Sequence, residues 1–125
     1  MPDRAFRFGD FELDVSAYEL RRQGRSVKVE RRPMELLMLL VDRQGELVTR
    51  DEIVNRLWGR DVFIDIDTSV NTVIRKVRRA LRDSADDSRF VQTVQGKGYR
   101  FVADVEPATR AALAVLPFEL LQGDE

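Results

Sequence analysis

An α+β fold is predicted by three observations. Residues 6–29 alternate apolar and polar at strand period, residues 33–82 carry apolar stripes at helical period, and a second strand pair flanks a glycine-rich turn around residue 96. The expected architecture is an N-terminal antiparallel β-sheet, three helices and a C-terminal β-hairpin. A chain of 125 residues, 43% of them apolar, has room for one domain with a short terminal extension and ample material for a core.

Composition removes whole classes of chemistry. The chain has no Cys and no His, so disulfides, thiolate or imidazole metal sites, and nucleophiles or proton relays built on those side chains are excluded. The Asp and Glu residues fall mostly at expected helix starts and in loops, where caps use them. No catalytic residue, metal site or cofactor is therefore expected, and the chain is not read as an enzyme. It opens with no basic stretch leading into an apolar core, and no apolar run approaches the roughly 20 residues of a membrane span. The expectation is a soluble, cytoplasmic chain without a membrane segment. A net charge of -1 offers no global attraction to nucleic acid, so any such binding must come from a local patch.

In the first segment Phe6, Phe8, Phe11, Leu13 and Val15, then Tyr18 and Leu20, then Val27 and Val29 recur at period two, with a slip at Gly9-Asp10. Gly9-Asp10 and Gln23-Gly24 are turn signals, so a small sheet is expected with one greasy face and another carrying Arg7, Glu12, Arg21 and Lys28. Pro33 suits the first position of a helix that runs through Met34 to Val41 and ends near Gly45. That helix is apolar on nearly every side, which makes it central, and Met34 and Met38 read as core filler. Thr49-Arg-Asp-Glu52 fits a capping box at the start of a second helix, with Ile53, Val54, Leu57 and Trp58 on one face and Gly59 as its stop.

Residues 60–66 form an apolar loop for which burial and a docking role both stand as readings. Asp67 or Thr68 should then cap a third helix over residues 68–82. Its apolar stripe is Val70, Val73, Ile74, Val77 and Leu81, while Thr68, Thr72, Arg75, Lys76 and Arg79 face the other way. No acid falls between Val70 and Arg82, although Asp61, Asp65 and Asp67 precede the helix and Asp83, Asp86 and Asp87 follow it. One face suits a core and the other something anionic, although a basic outer face is by itself commonly just solvated. Second helix, loop and cationic third helix follow a helix-turn-helix plan. Residues 90–94 and 99–103 around Gln95-Gly-Lys-Gly98 make the hairpin, whose glycines lack the spacing and the following helix of a phosphate loop.

In that order the residues resemble a winged helix of the OmpR/PhoB type, the effector domain of many bacterial response regulators. The resemblance covers about residues 6–104. It rests jointly on Gly45-Glu-Leu-Val-Thr-Arg-Asp-Glu-Ile53, Leu57-Trp-Gly59, Val70-Asn-Thr-Val-Ile-Arg-Lys-Val-Arg-Arg-Ala-Leu81 and Val91-Gln-Thr-Val-Gln-Gly-Lys-Gly-Tyr-Arg-Phe101. Arg32-Pro-Met-Glu-Leu-Leu is more similar to the ToxR/CadC-like group, where the winged helix comes first. With Met1 a few residues before the first strand, no receiver domain is expected ahead of it. The expected division is a winged-helix domain over residues 1–106, followed by a linker and the start of another domain over residues 107–125. That tail resembles the opening of TolB-like domains and equally suits a frayed terminal extension.

The resemblance implies sequence-specific binding of double-stranded DNA by a bacterial transcription regulator, with the third helix in the major groove and the wing in the minor groove. By position, Asn71, Thr72 and Lys76 are the candidates for base edges, which their side chains suit. Thr68, Ser69, Arg75, Arg78 and Arg79 are the candidates for phosphates. Arg100 on the wing is the candidate for the minor groove, whereas Tyr99 and Phe101 alternate with it and belong to the core. Trp58 has two readings, backbone contact from the resemblance and core from its spacing. The loop corresponds to a segment that touches RNA polymerase in activators of the family, so Asp61, Phe63 and Asp65 are candidate contacts. Pairing of two copies on repeated half-sites is also implied. The rival readings are a winged helix that docks an acidic protein partner, and an enzyme whose catalytic part lies outside these residues.

Overall fold

The structure, a computed structural model, describes residues 4–59 and 65–108. Asp61, Phe63 and the tail beyond residue 108 lie outside the described residues. In chain order the elements are strands β1 (Ala5–Phe8), β2 (Phe11–Asp14), β3 (Glu19–Arg22) and β4 (Arg25–Val27), helix α1 (Arg31–Asp42), strand β5 (Leu47–Thr49) and helix α2 (Arg50–Trp58). Helix α3 (Ile66–Leu81) and strands β6 (Val91–Val94), β7 (Gly98–Phe101) and β8 (Glu106–Ala108) complete the order. They fall into two units, one of residues 4–27 with 105–108 and one of residues 28–104. None of the described helices is long and apolar enough to cross a membrane.

The first unit is a five-stranded antiparallel sheet in the order β4-β3-β2-β1-β8. Gln23 and Gly24 both take left-handed backbone, with φ of 53° and 82°, as the two-residue turn between twisted strands requires. The register puts Phe6, Leu13, Leu20 and Val27 in one cross-strand row and Arg7, Glu12, Arg21 and Ser26 in the next, so the two rows face opposite sides. Phe8, Phe11, Leu13 and Leu20 are buried, while Arg21 bonds Glu12 and Asp14 at 3.2 Å each and also Glu19. Two expectations change here. Tyr18, read with the apolar set, sits in the turn before β3 with φ of 56° and is 46% exposed. Residues 107–108, read as linker, pair with Phe6 and Ala5 as β8. Pro107 argues against a strand in the sequence, but an edge strand with one neighbour tolerates a residue without an N–H.

In the second unit α1 begins at Arg31, two residues before the expected start, and Pro33 lies within its first turn. An N–H there would have no intrahelical partner, so the Pro costs no hydrogen bond and the extended preference of Arg32 is overridden. Pro33, Met34, Leu36, Leu37, Leu39, Leu40 and Val41 are buried, as a helix apolar on most sides should be, whereas Met38 is half-buried. α1 ends at Asp42 with Arg43 as its C-cap, and Gly45, expected to stop it, instead donates its N–H to Phe101 O in the next turn.

The capping box of α2 is present as expected. Thr49 Oγ1 accepts the Glu52 N–H at 3.1 Å and Glu52 Oε1 accepts the Thr49 N–H at 3.0 Å. Arg43 donates to the same carboxylate at 2.6 Å, and this bond, together with the Thr49 N–H, holds the Glu52 carboxyl below its ordinary range. β5, which the sequence did not announce, joins β7 and β6 in a three-stranded antiparallel sheet in the order β5-β7-β6. α1, α2 and α3 pack on one another.

Candidate nucleic-acid interface

α3 owes its placement to its stripe. Val70, Val73, Ile74, Val77 and Leu81 are all buried, so the opposite side must face out. The helix starts two residues earlier than expected. Asp65, not Asp67 or Thr68, is the N-cap, its Oδ1 accepting the Thr68 N–H at 3.1 Å, so this candidate polymerase contact already spends a carboxylate oxygen on the helix. At about 100° per residue, Thr68, Thr72, Arg75 and Arg79 form the middle of the outward face, Ser69 and Lys76 one flank, and Asn71 and Arg78 the other. Among the described residues no carboxylate forms an ion pair with Arg75 or Arg79, and both side chains are exposed.

The two flanks border two grooves. One, of about 580 Å³, lies toward the hairpin and is lined by Arg50, Asn71, Arg75, Arg78, Arg79 and Tyr99 among others. The other, of about 410 Å³, lies toward the start of α1 and takes in Arg31, Arg32, Trp58, Thr68, Thr72 and Lys76, with Glu30 as its only acid among the described residues. The candidate residues therefore occupy one surface but not one environment. Thr72 Oγ1 donates to Thr68 O at 2.9 Å, which leaves its methyl and a lone pair to a ligand. Asn71 Oδ1 accepts from the Tyr99 hydroxyl at 3.3 Å, so its free amide N–H groups are donors.

Arg78 differs from its neighbours. Its Nη2 donates to Val91 O at 2.9 Å and Thr93 Oγ1 at 2.8 Å, tying α3 to β6. Asp83 makes the second tie, its carboxylate accepting the N–H groups of Arg89, Phe90 and Val91 at 2.8, 3.1 and 2.9 Å. Hydrogen bonds to a charged partner are each worth about 1.5–3 kcal/mol, and stranded N–H donors add to the loss. Asp83→Ala is therefore expected to lower unfolding free energy by about 3 kcal/mol in urea titration. A loss under about 0.5 kcal/mol would mean that water replaces the carboxylate and that the tie does not hold the hairpin.

The hairpin itself bears out the alternation read from sequence, with Tyr99 and Phe101 only 2% and 1% exposed. Arg100 lies in β7, opposite Leu47 on one side and Gln92 on the other, half-buried in the central strand rather than at the tip. The exposed cation at the tip is Lys97, which sequence reasoning passed over although it stands inside the Gly-Lys-Gly turn. Two more cations were missed. Arg50 opens α2 and pairs with Asp67 of α3 at 3.1 Å, and its place after the capping Thr was the available signal. Arg32 lies over the Trp58 ring, 5.0 Å from its centroid. Trp58 is thus half-buried with one face covered by a cation, not a core residue.

A helix-turn-helix whose second helix shows a cationic face, followed by a hairpin in a small sheet, defines a winged-helix domain. Residues 24–101 match the family described as transcriptional regulatory protein, C terminal. The chain belongs to this OmpR/PhoB-type family. Its relatives include the transcriptional activator CadC of Escherichia coli, 28% identical over 106 residues that make up 84% of this chain and 20% of CadC. The transcriptional regulatory protein HprR of the same species is 35% identical over 94 residues, 73% of this chain and 40% of HprR. The chain thus spans less than half the length of either relative. Among solved structures, the DNA-binding domain of E. coli CadC superposes with a TM-score of 0.70 at 27% identity, over 86% of this chain and all of that one. The Klebsiella pneumoniae RstA DNA-binding domain, solved in complex with the RstA box, gives 0.69 at 28% identity over 78% of this chain and 96% of that one.

Proposed function

We propose that this chain is the sequence-reading domain of a transcription regulator acting on chromosomal DNA in the cytoplasm, with α3 in the major groove. The observation that carries this reading is the outward face of α3, where Arg75 and Arg79 stand exposed without a carboxylate partner among the described residues, in a helix free of acid from Val70 onward. Unpaired guanidinium groups on a convex helix suit phosphate oxygens, and a helix flanked by grooves suits the width of the major groove. Thr68, Ser69, Arg75 and Arg79 would grip the backbone, with Arg78 adding charge while it serves the hairpin. Lys76 offers its ammonium to guanine O6 or N7, Asn71 its amide to a purine N7, and Thr72 its methyl to thymine. Lys97 at the tip, with Arg100 behind it, suits a narrow minor groove. Arg32 and Arg50 extend the cationic rim on either side of α3. Two copies on repeated half-sites would supply affinity that a nearly neutral chain lacks, and a contact of residues 60–66 with RNA polymerase belongs to the same reading.

The test is selection of bound duplexes from a random DNA pool at about 0.15 M salt, with the Lys76→Ala and Asn71→Ala variants run beside the parent chain. Enrichment of a motif is expected, and each variant should lose about 1–3 kcal/mol on it with relaxed preference at one base pair. Absence of enrichment, with retained binding to an acidic protein surface, would favour the interaction module instead.

A further inference from the structure

The pair between Glu30 and Lys76 joins residues 46 positions apart, the residue before α1 and the middle of α3, with Oε1 and Nζ 2.6 Å apart. Glu30 occupies the N-cap position of α1, yet its side chain makes no cap hydrogen bond. Its carboxylate is spent across the groove on Lys76 instead. Among the described residues it is the only acid lining that groove, beside Arg31, Arg32, Thr68, Ser69 and Thr72. Its two side chains stay accessible, 66% for Glu30 and 44% for Lys76. The hydrogen bond and charge of Lys76, with a smaller contribution from Lys28, hold the Glu30 carboxyl below its ordinary range, so it is ionised at neutral pH.

A negative charge at the edge of a surface that meets phosphates opposes binding unless it selects something. We propose that Glu30 is a specificity-determining residue that acts through Lys76 and directs its ammonium to a neutral base-edge acceptor in preference to an anionic phosphate oxygen. The inference rests on the reading of Lys76 as a base contact. An ammonium has three N–H donors, so Lys76 can keep Glu30 and still donate to guanine O6 or N7, which carry no formal charge. A phosphate oxygen brought to the same ammonium would stand beside the Glu30 carboxylate, and like charges in proximity repel. An exposed lysine–carboxylate pair is weak, so the barrier to exchange is low and the discrimination comes from charge, not from locking.

The experiment measures Kd across a salt series for the 125-residue chain, its Glu30→Gln and Lys76→Ala variants and the double variant, on a selection-enriched duplex and on a scrambled one. Glu30→Gln is expected to tighten the scrambled duplex about fivefold at 0.15 M salt and to steepen its salt slope by about 0.9, the signature of one added phosphate contact. The enriched duplex should gain less than about twofold, so the preference between the two narrows. In the Lys76→Ala background, Glu30→Gln should act alike on both duplexes. An equal gain on both duplexes with Lys76 present would show a general charge effect and overturn the proposal, as would no change on either. If Lys76→Ala alone leaves the preference untouched, Lys76 reads no base and the underlying reading fails with it. The two failures are thus told apart by the single variants.

Discussion

Gly98→Ala is expected to lower unfolding free energy by about 3 kcal/mol and Tm by more than about 10 °C, measured by thermal and urea denaturation. A Cβ on Gly98 would come within 2.1 Å of Val48 O, 2.9 Å of Thr49 Cα and 3.0 Å of Val48 C. All three are backbone atoms of β5, so no side chain can swing away, and the strand pairing of Thr49 with Gly98 must open. Thr49 is also the N-cap of α2, which carries the strain from the hairpin into the helix-turn-helix. Gly96→Ala is the control. It lies at the hairpin tip with φ of 73° and nothing within 4 Å of the added carbon, so only the left-handed backbone resists, at about 1–2 kcal/mol. Equal losses in the two variants would mean that β5 and β7 do not approach so closely.

That contact marks the boundary between what was legible in the chain and what was not. The capping box of α2 and the stripe of α3 depend on neighbours three or four residues apart, and both were readable because the physics that makes them is equally local. β5 is three residues long and exists only because β7, some fifty residues later, offers it a partner. No alternation can announce it. β8 was hidden by Pro107, whose meaning depends on whether a strand lies at an edge. The start of α3 slipped because Asp65, Asp67 and Thr68 are all competent caps and the sequence does not rank them.

The interface divides in the same way. The outward face of α3 followed from its period, and so did the burial of Tyr99 and Phe101. The partners of individual cations did not. Arg78 and Arg79 are adjacent in sequence and were read alike, yet one is bonded to β6 and the other faces out. Lys76 and Glu30 meet only after α1 and α3 have packed. A helical wheel separates faces, but which guanidinium is already engaged is decided by tertiary pairing.

This distinction bears on what Arg75→Ala/Arg79→Ala should do. Both side chains are exposed, and among the described residues neither has a carboxylate partner, so alanine removes no internal bond and stability should stay within about 0.5 kcal/mol of the parent. Each lost phosphate contact lowers the salt slope by about 0.9, and two lost contacts correspond to a weakening of about 30-fold at 0.15 M salt. Since phosphates carry no sequence information, the loss should be the same on an enriched and on a scrambled duplex, leaving the ratio of their Kd values unchanged. Arg78→Ala must behave otherwise, because it also releases Val91 O and Thr93 Oγ1, and is expected to cost folding stability along with affinity. A double variant that lost affinity on the enriched duplex alone, with its salt slope intact, would make Arg75 and Arg79 the base readers. The reading of α3 would then have to be turned about its axis, with the flanks holding the backbone and the centre reading the groove.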